Sequence, residues 1–425
     1  MQTLQQLRNG ELKGSTTLKL SEQLSEFPSE IFDLAETLEF LDLSGNQLTD
    51  LPRDFGRLKC LKIFFCSDNN FEHLPEELSD CPLLDIVGFK SNQIINVSPK
   101  SINPNLRWLI LTNNKIPTLP AEIGLCTRMQ KLMLAGNRLT ALPIELSNCK
   151  NLGLLRISAN QLSELPAWLL EMPKLSWLAF SGNPFVKSPT ISSMELISWK
   201  DLQLDQVLGQ GASGVIYQAQ RKTGDFSESV ALKIFKGEVT SDGLPQDEMN
   251  TCITAGLHPG LVKLIGQISD HPQGKKGLLM ALIPPSFRNL GNPPSFDSCT
   301  RDVFPANLKL STVQALKIAQ TIAAVAEQLH SRNIMHGDLY AHNTLIDEEG
   351  NTLFGDFGAA SFYENPLMEK LEVSAFGYLL ADLISICDPN HSDSVLEQLR
   401  ELQKNCHQEL PSSRPTFKAI LQQLS

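Results

Sequence analysis

Apolar residues in the first part of the chain recur in a fixed frame. One unit reads Leu38-x-x-Leu41-x-Leu43-x-x-Asn46-x-Leu48, and the same frame restarts at Leu61, Leu84, Leu106, Met129, Leu152 and Leu175. The period is 23 residues, with one step of 22. Alternation at Leu-x-Leu predicts a short strand whose alternate side chains face a common core. The Asn that follows leaves the strand, and its amide can bond the turn backbone of the adjoining coil. Leu-Pro pairs (Leu51-Pro52, Leu74-Pro75, Leu119-Pro120, Leu142-Pro143, Leu165-Pro166) mark where each coil turns away. No single unit can bury its apolar face, so the units must stack. Leu18-Lys19-Leu20 reads as a degenerate first coil that caps the array.

This half resembles the leucine-rich repeat family, because the frame recurs in phase over many units. The strand positions between the core residues then point outward on a concave surface. There Phe40, Ile63, Phe65, Ile86, Trp108 and Ile110 predict a contiguous exposed apolar patch. Such patches mark binding surfaces, so a protein partner on the concave face is expected, with coverage by the other half or a second copy as the alternative.

Past Lys187-Ser188-Pro189 the frame is lost, and from Trp199 the pattern changes. Two strand-like runs flank the glycine-rich turn Leu208-Gly209-Gln210-Gly211-Ala212-Ser213-Gly214-Val215-Ile216. The run Val230-Ala231-Leu232-Lys233-Ile234 is an apolar strand with a lysine inside it. Burying that ammonium is costly unless an anion meets it. Glu248, fifteen residues on in a segment read as a helix from Asp247 to Ala255, is the carboxylate placed to hold it. From Ser311 to His330 the apolar spacing is helical, with Ser311 as N-cap.

The stretch His336-Gly337-Asp338-Leu339-Tyr340-Ala341-His342-Asn343, continued to Asp356-Phe357-Gly358, carries the candidate chemistry. Asp338 is a base or orienter for an attacking hydroxyl, and Asn343 and Asp356 are oxygen ligands of the kind Mg²⁺ takes in phosphoryl transfer.

The second half therefore resembles the eukaryotic-type protein kinases. That resemblance implies ATP and Mg²⁺ as cofactors. It gives the glycine loop, from Gly209 through Gln210, Gly211, Ala212 and Ser213 to Gly214, the task of closing backbone amides over phosphates. Lys233 would grip phosphate and pair with Glu248. Leu208, Ile216 and Ala231 would enclose the base, and Leu279–Ile283 would be the hinge, with Met280 as gatekeeper and Leu282 beside the adenine. Glu372 stands where the family has an aspartate at the start of its central helix. Gly337 replaces a common arginine, Tyr340 a common lysine, and the segment from Ala359 to Leu371 is short. A small-molecule phosphotransferase and a nucleotide-binding scaffold with little transfer are the alternatives.

The fold expected is an α/β leucine-rich repeat solenoid of about seven to eight repeats over residues 1–193, followed by an α+β bilobal kinase-like domain over 194–425. A formal charge of −11 without a Lys/Arg block argues against nucleic acid. The first residues lack the apolar core of a secretory signal, and no apolar run reaches the ~20 residues of a membrane span, so a cytoplasmic protein is expected. The nine scattered cysteines read as reduced, buried thiols.

Overall fold

The computed structural model describes residues 2–187, 189, 194–211, 213–236, 239–387 and 394–425. They fall into two compact units, Met1–Leu175 with Asn183–Phe185, and Ser176–Gly182 with Val186–Ser425.

In the first unit, a short helix α1 (Leu4–Arg8), closed at its start by a Thr3–Gln6 capping box, precedes the repeats. Seven three-residue strands follow: β1 (Thr17–Lys19), β2 (Phe40–Asp42), β3 (Ile63–Phe65), β4 (Ile86–Gly88), β5 (Trp108–Ile110), β6 (Lys131–Met133) and β7 (Leu154–Arg156). They pair in parallel and in sequence order, so Leu41, Phe64, Val87, Leu109, Leu132 and Leu155 stand side by side in the buried row. Single turns of 3₁₀ helix after the Leu-Pro pairs return the chain on the other side. Where phenylalanine takes a leucine position the rings pack on each other, Phe64 against Phe55 at 5.1 Å and against Phe89 at 5.7 Å.

The asparagines do what their position predicts. Asn92 Nδ2 donates to Cys66 O (3.0 Å) and Phe89 O (3.2 Å), while its Oδ1 accepts from Phe71 N (3.1 Å). The same pattern recurs at Asn46, Asn69, Asn114, Asn137 and Asn160, all buried. Each amide satisfies backbone groups that a chain leaving a strand would strand in the interior.

The concave row corrects the expectation of an exposed patch. Ile86 is fully buried, and Phe40, Ile63, Phe65, Trp108 and Ile110 are half-buried. Parallel strands lie close enough for outward side chains to stack along the row. Phe40 and Phe65 meet edge to face at 5.8 Å, Phe65 lies over Gly88, and the Lys131 ammonium sits 4.4 Å from the Trp108 ring.

The second unit opens with β8 (Trp177–Ala179), which by sequence continues the repeat frame. Six strands then make one sheet: β9 (Leu196–Ser198), β10 (Leu202–Gln210), β11 (Gly214–Thr223), β12 (Phe226–Phe235), β13 (Leu264–Ser269) and β14 (Gly277–Ala281). Their order is β10-β11-β12-β14-β13-β9, antiparallel except for β9 on β13. Helix α2 (Pro245–Ala255) leaves after β12.

Below this sheet lie helices α3 (Thr312–Ser331), α4 (Leu367–Ile386), α5 (Ser394–Cys406) and α6 (Phe417–Leu424). Ser311 caps α3 in a box with Gln314, and the stripe from Ile318 to Leu329 is buried, though Val313 is exposed. Short strands β15 (Arg288–Asn289), β16 (Ile334–Met335), β17 (Thr344–Ile346), β18 (Thr352–Phe354) and β19 (Ser361–Phe362) pair as β15-β17-β18 and β16-β19. They fix the loops that carry Asp338, Asn343 and Asp356. Among the described residues no helix is long and apolar enough to cross a membrane. The nine cysteines stand unbridged, seven of them buried.

Candidate active site

Strand β12 lies between β11 and β14, with Lys233 opposite Ile216 and Leu278. Alternation turns the lysine to the inner face, where it is 8% exposed. Its ammonium contacts Glu248 Oε1 from α2 and lies 3.9 Å from Asp356 Oδ1. Burial alone would lower the lysine's pKa, but Glu248 and then Asp356 outweigh it and hold the ammonium above its ordinary value. Burial also lifts the Glu248 carboxyl. Direct contact between the two atoms argues for the ionised pair.

Asp356 has a positive φ of 59°, which turns its carboxylate toward that lysine while Phe357 is buried behind it. Asn343 closes the loop, its Nδ2 donating to Asp338 O (2.9 Å) and Asp338 Oδ2 (2.7 Å). The carbonyl oxygen of Asn343 stays out of those two bonds. His336 is fully buried and supports the loop: its Nδ1 accepts from Asp338 N (3.3 Å), which puts the ring proton on Nε2, facing Gly355 O at 3.1 Å. Burial pulls its pKa down and favours the neutral ring. Glu372 on α4 accepts from the backbone N–H groups of His336 (3.0 Å) and Gly337 (2.7 Å). The glutamate thus reaches the loop of Asp338 from α4.

A cavity of about 920 Å³ opens beside these groups. It is lined by Leu208, Gly209, Ile216, Ala231, Lys233, Glu248, Met280, Leu282, Asn343 and Asp356 among the expected residues. Gln210, Gly211, Ser213, Gly214 and Asp338 are not on its wall, and Ala212 lies outside the described residues. In the glycine loop, a Cβ at Gly214 would sit 2.6 Å from Ile234 O, so the strand pairing itself demands that glycine. Cβ atoms at Gly209 and Gly211 would meet nothing, so the fold does not need glycine at either.

Three residues at the site escaped the sequence reading. The proline-rich stretch after the hinge supplies Asp302, which accepts from His342 N (2.9 Å) and lies 2.7 Å from His342 Nδ1. Burial would lower the pKa of His342, but Asp302 raises it overall. Leu278 and Cys252 also line the cavity. No spacing signal links Asp302 to a loop forty residues on. Arg414 donates to the carbonyls of Lys370 and Gln408, while Glu369 accepts from Phe417 N and Glu364 from Lys187.

Residues 202–385 match the protein kinase domain family model, and residues 37–58 and 127–185 match leucine-rich repeat models. This chain joins leucine-rich repeats to a protein kinase domain. The chain is similar to the tyrosine-protein kinase receptor TYRO3 of Gallus gallus, at 31% identity over 42% of this chain and 21% of that protein. A probable serine/threonine-protein kinase of Dictyostelium discoideum is 28% identical over 54% of this chain and 16% of its own length. The serine/threonine-protein kinase PITSLRE of Drosophila melanogaster is 28% identical over 47% of this chain and 20% of its length. The matches thus span about a fifth of these relatives.

The donor set suits a nucleotide with Mg²⁺. A carboxylate and an amide oxygen are hard ligands, and Mg²⁺ takes its remaining positions from phosphates and water. Among the described residues no cluster of three His, Cys, Asp or Glu forms a self-sufficient metal cage.

Proposed function

We propose that this chain is an ATP- and Mg²⁺-dependent protein kinase, with serine or threonine hydroxyls as the default acceptor. The observation that carries the reading is the convergence of Lys233, Glu248 and Asp356 on one cavity, with Asn343 on its wall hydrogen-bonded to Asp338. Leu208, Ile216, Ala231, Met280 and Leu282 supply the apolar part of that cavity and fit an adenine.

Bound Mg²⁺ would neutralise charge developing on the transferred phosphoryl group. Asn343 and Asp356 are the residues that would hold it. Lys233, kept cationic by Glu248, would present a fixed positive charge to the phosphates of a bound nucleotide, and fixed charge of this kind needs no reorganisation during reaction. Asp338, held by Asn343 and by the backbone bond to His336, accepts or orients the proton of the acceptor hydroxyl.

The repeats supply partner recognition in this reading. The half-exposed Phe40, Ile63, Phe65, Trp108 and Ile110 are the candidate face, and Ile86 drops out of it. If that face binds, Phe65→Glu with Trp108→Glu abolishes partner capture; capture that survives removes the face from the account.

Radiolabelled ATP with the full chain and a mixed protein substrate tests the activity. Label should enter protein at hydroxyl residues, and Asp338→Ala should reduce it by about 10²–10⁴-fold. Label confined to small molecules would overturn the protein-kinase reading, and none anywhere would leave a nucleotide-binding scaffold. Phosphoamino-acid analysis separates serine and threonine from tyrosine acceptors.

A further inference from the structure

The segment Ser176–Gly182 continues the repeat frame in sequence, yet it packs as part of the second unit. It touches chain next to three of the functional groups. At the loop of Asp338, Trp177 Nε1 donates to Leu339 O at 3.0 Å, and its indole stacks on the Tyr340 ring at 4.3 Å with the planes 6° apart. Its other neighbour is the Tyr378 ring of α4 at 5.2 Å. Near Asp356, Phe180 N donates to Ser361 Oγ at 3.1 Å. Beside Glu248, the Asp247 carboxyl of α2 lies against the Ser181 hydroxyl. Ser176 Oγ meets Ser374 Oγ at 2.9 Å, which fixes the segment to α4.

Gly337 shows how closely the parts are fitted. It adopts φ +72°, and a Cβ there would lie 2.6 Å from Leu178 O and 2.8 Å from Ala359 O. A side chain at that position would push β8 and the loop apart, and only glycine adopts this backbone freely.

We propose that Ser176–Gly182 is a built-in brace that positions the catalytic machinery, with Trp177 as its principal positioning residue. Trp177 bonds and stacks on the two residues that follow Asp338, so its loss releases the loop that aims the carboxylate. The same segment holds the chain after Asp356 through Ser361 and lies against α2, which presents Glu248. In this way a rigid strand does the ordering that the short Ala359–Leu371 segment has little chain to do. The inference rests on the phosphotransfer reading for its kinetic consequence, but its structural consequence is independent of it.

The experiment uses the full chain, with Trp177→Leu, Trp177→Phe and Ser361→Ala. Two readouts are taken: kcat and KM for ATP, and hydrogen exchange of backbone amides across the second unit. A 1 Å misplacement of a catalytic group costs about 10²-fold, so Trp177→Leu should lower kcat by about 30–100-fold with KM for ATP within about twofold. Trp177→Phe keeps the stack and loses one hydrogen bond, so it should retain kcat within about tenfold of the parent. Exchange should rise in Trp177→Leu at His336–Asn343 and in α2, and not in the outer strands β10 and β11. If Trp177→Leu does not fold, Trp177→Phe and Ser361→Ala carry the test, each with lowered kcat at unchanged KM.

Parent-like kcat in all variants that fold would overturn the brace. So would equal losses in Trp177→Phe and Trp177→Leu, or exchange rising evenly over the whole unit. A parent chain that binds nucleotide but transfers nothing defeats the phosphotransfer reading, and exchange alone then decides the brace.

Discussion

Glu372→Gln tests how the loop of Asp338 is held. Glu372 is fully buried on α4, accepts from His336 N and Gly337 N, and lies 2.8 Å from His330 Nε2. Glutamine keeps the size and removes the charge. Its amide oxygen can accept from one backbone N–H, and its NH₂ then faces the other, donor against donor. A hydrogen bond to a charged group contributes about 1.5–3 kcal/mol, and an unmet buried donor costs about 1–3 kcal/mol. The expected destabilisation is therefore about 3 kcal/mol, mostly from the lost second acceptor. For a unit of this size about 1 kcal/mol moves the midpoint by about 2–4 °C, so Tm of the second unit should fall by about 6–12 °C.

Scanning calorimetry of the full chain, with the two units expected to melt separately, reads that shift. The loss should also depend on pH. Burial raises the Glu372 pKa, but His330 and the backbone N–H of His336 overturn that and leave it below its ordinary value. A carboxyl lowered on folding stabilises above its unfolded pKa of about 4.3 and loses that contribution as pH falls through the folded value. The gap between parent and variant should be full at pH 7 and narrow below about pH 4. A shift under 2 °C at pH 7, or a gap that widens in acid, would refute the reasoning.

Three further outcomes follow from the same geometry. Lys233→Met should lower phosphotransfer by at least about 10²-fold in a peptide-labelling assay, because the charge fixed by Glu248 is gone; transfer within tenfold of the parent would remove Lys233 from the mechanism. Asp302→Asn tests the His342 pair. A histidine raised by its partner gives its full stabilisation below about pH 6.5 and loses it as pH rises through the folded pKa, so the Tm gap should be larger at pH 6 than at pH 9. Asn92→Ala strips Cys66 O, Phe89 O and Phe71 N of their buried partner. It should cost the first unit about 2–4 kcal/mol in urea titration and leave the melting of the second unit in place.

The sequence alone determined the local architecture wherever one residue's neighbours along the chain decide its fate. The leucine frame set strand register, because a three-residue strand with one buried position has one way to face the core. The asparagine ladder was legible for the same reason: Asn92 follows its strand at a fixed offset and meets whatever backbone the next coil presents. Lys233 was legible because an ammonium in an apolar strand demands an anion, and Asp338, Asn343 and Asp356 because their spacing is set by one short loop and one hairpin.

Only the tertiary structure decided what depends on contacts across long loops. Taken strand by strand, the concave row is an exposed one. Packing of neighbouring strands covers Ile86 and half-buries the rest. Asp302 comes from a stretch with no motif, and the half-buried Asp247 carboxyl lies against Ser181, far away in sequence. By its place in the repeat frame, between the core positions Leu175 and Leu178, Trp177 is one more outward strand position. Its stacking on Tyr340 and its bond to Leu339 join positions more than 160 residues apart, and no local pattern encodes a contact whose partner is chosen by how the chain returns on itself.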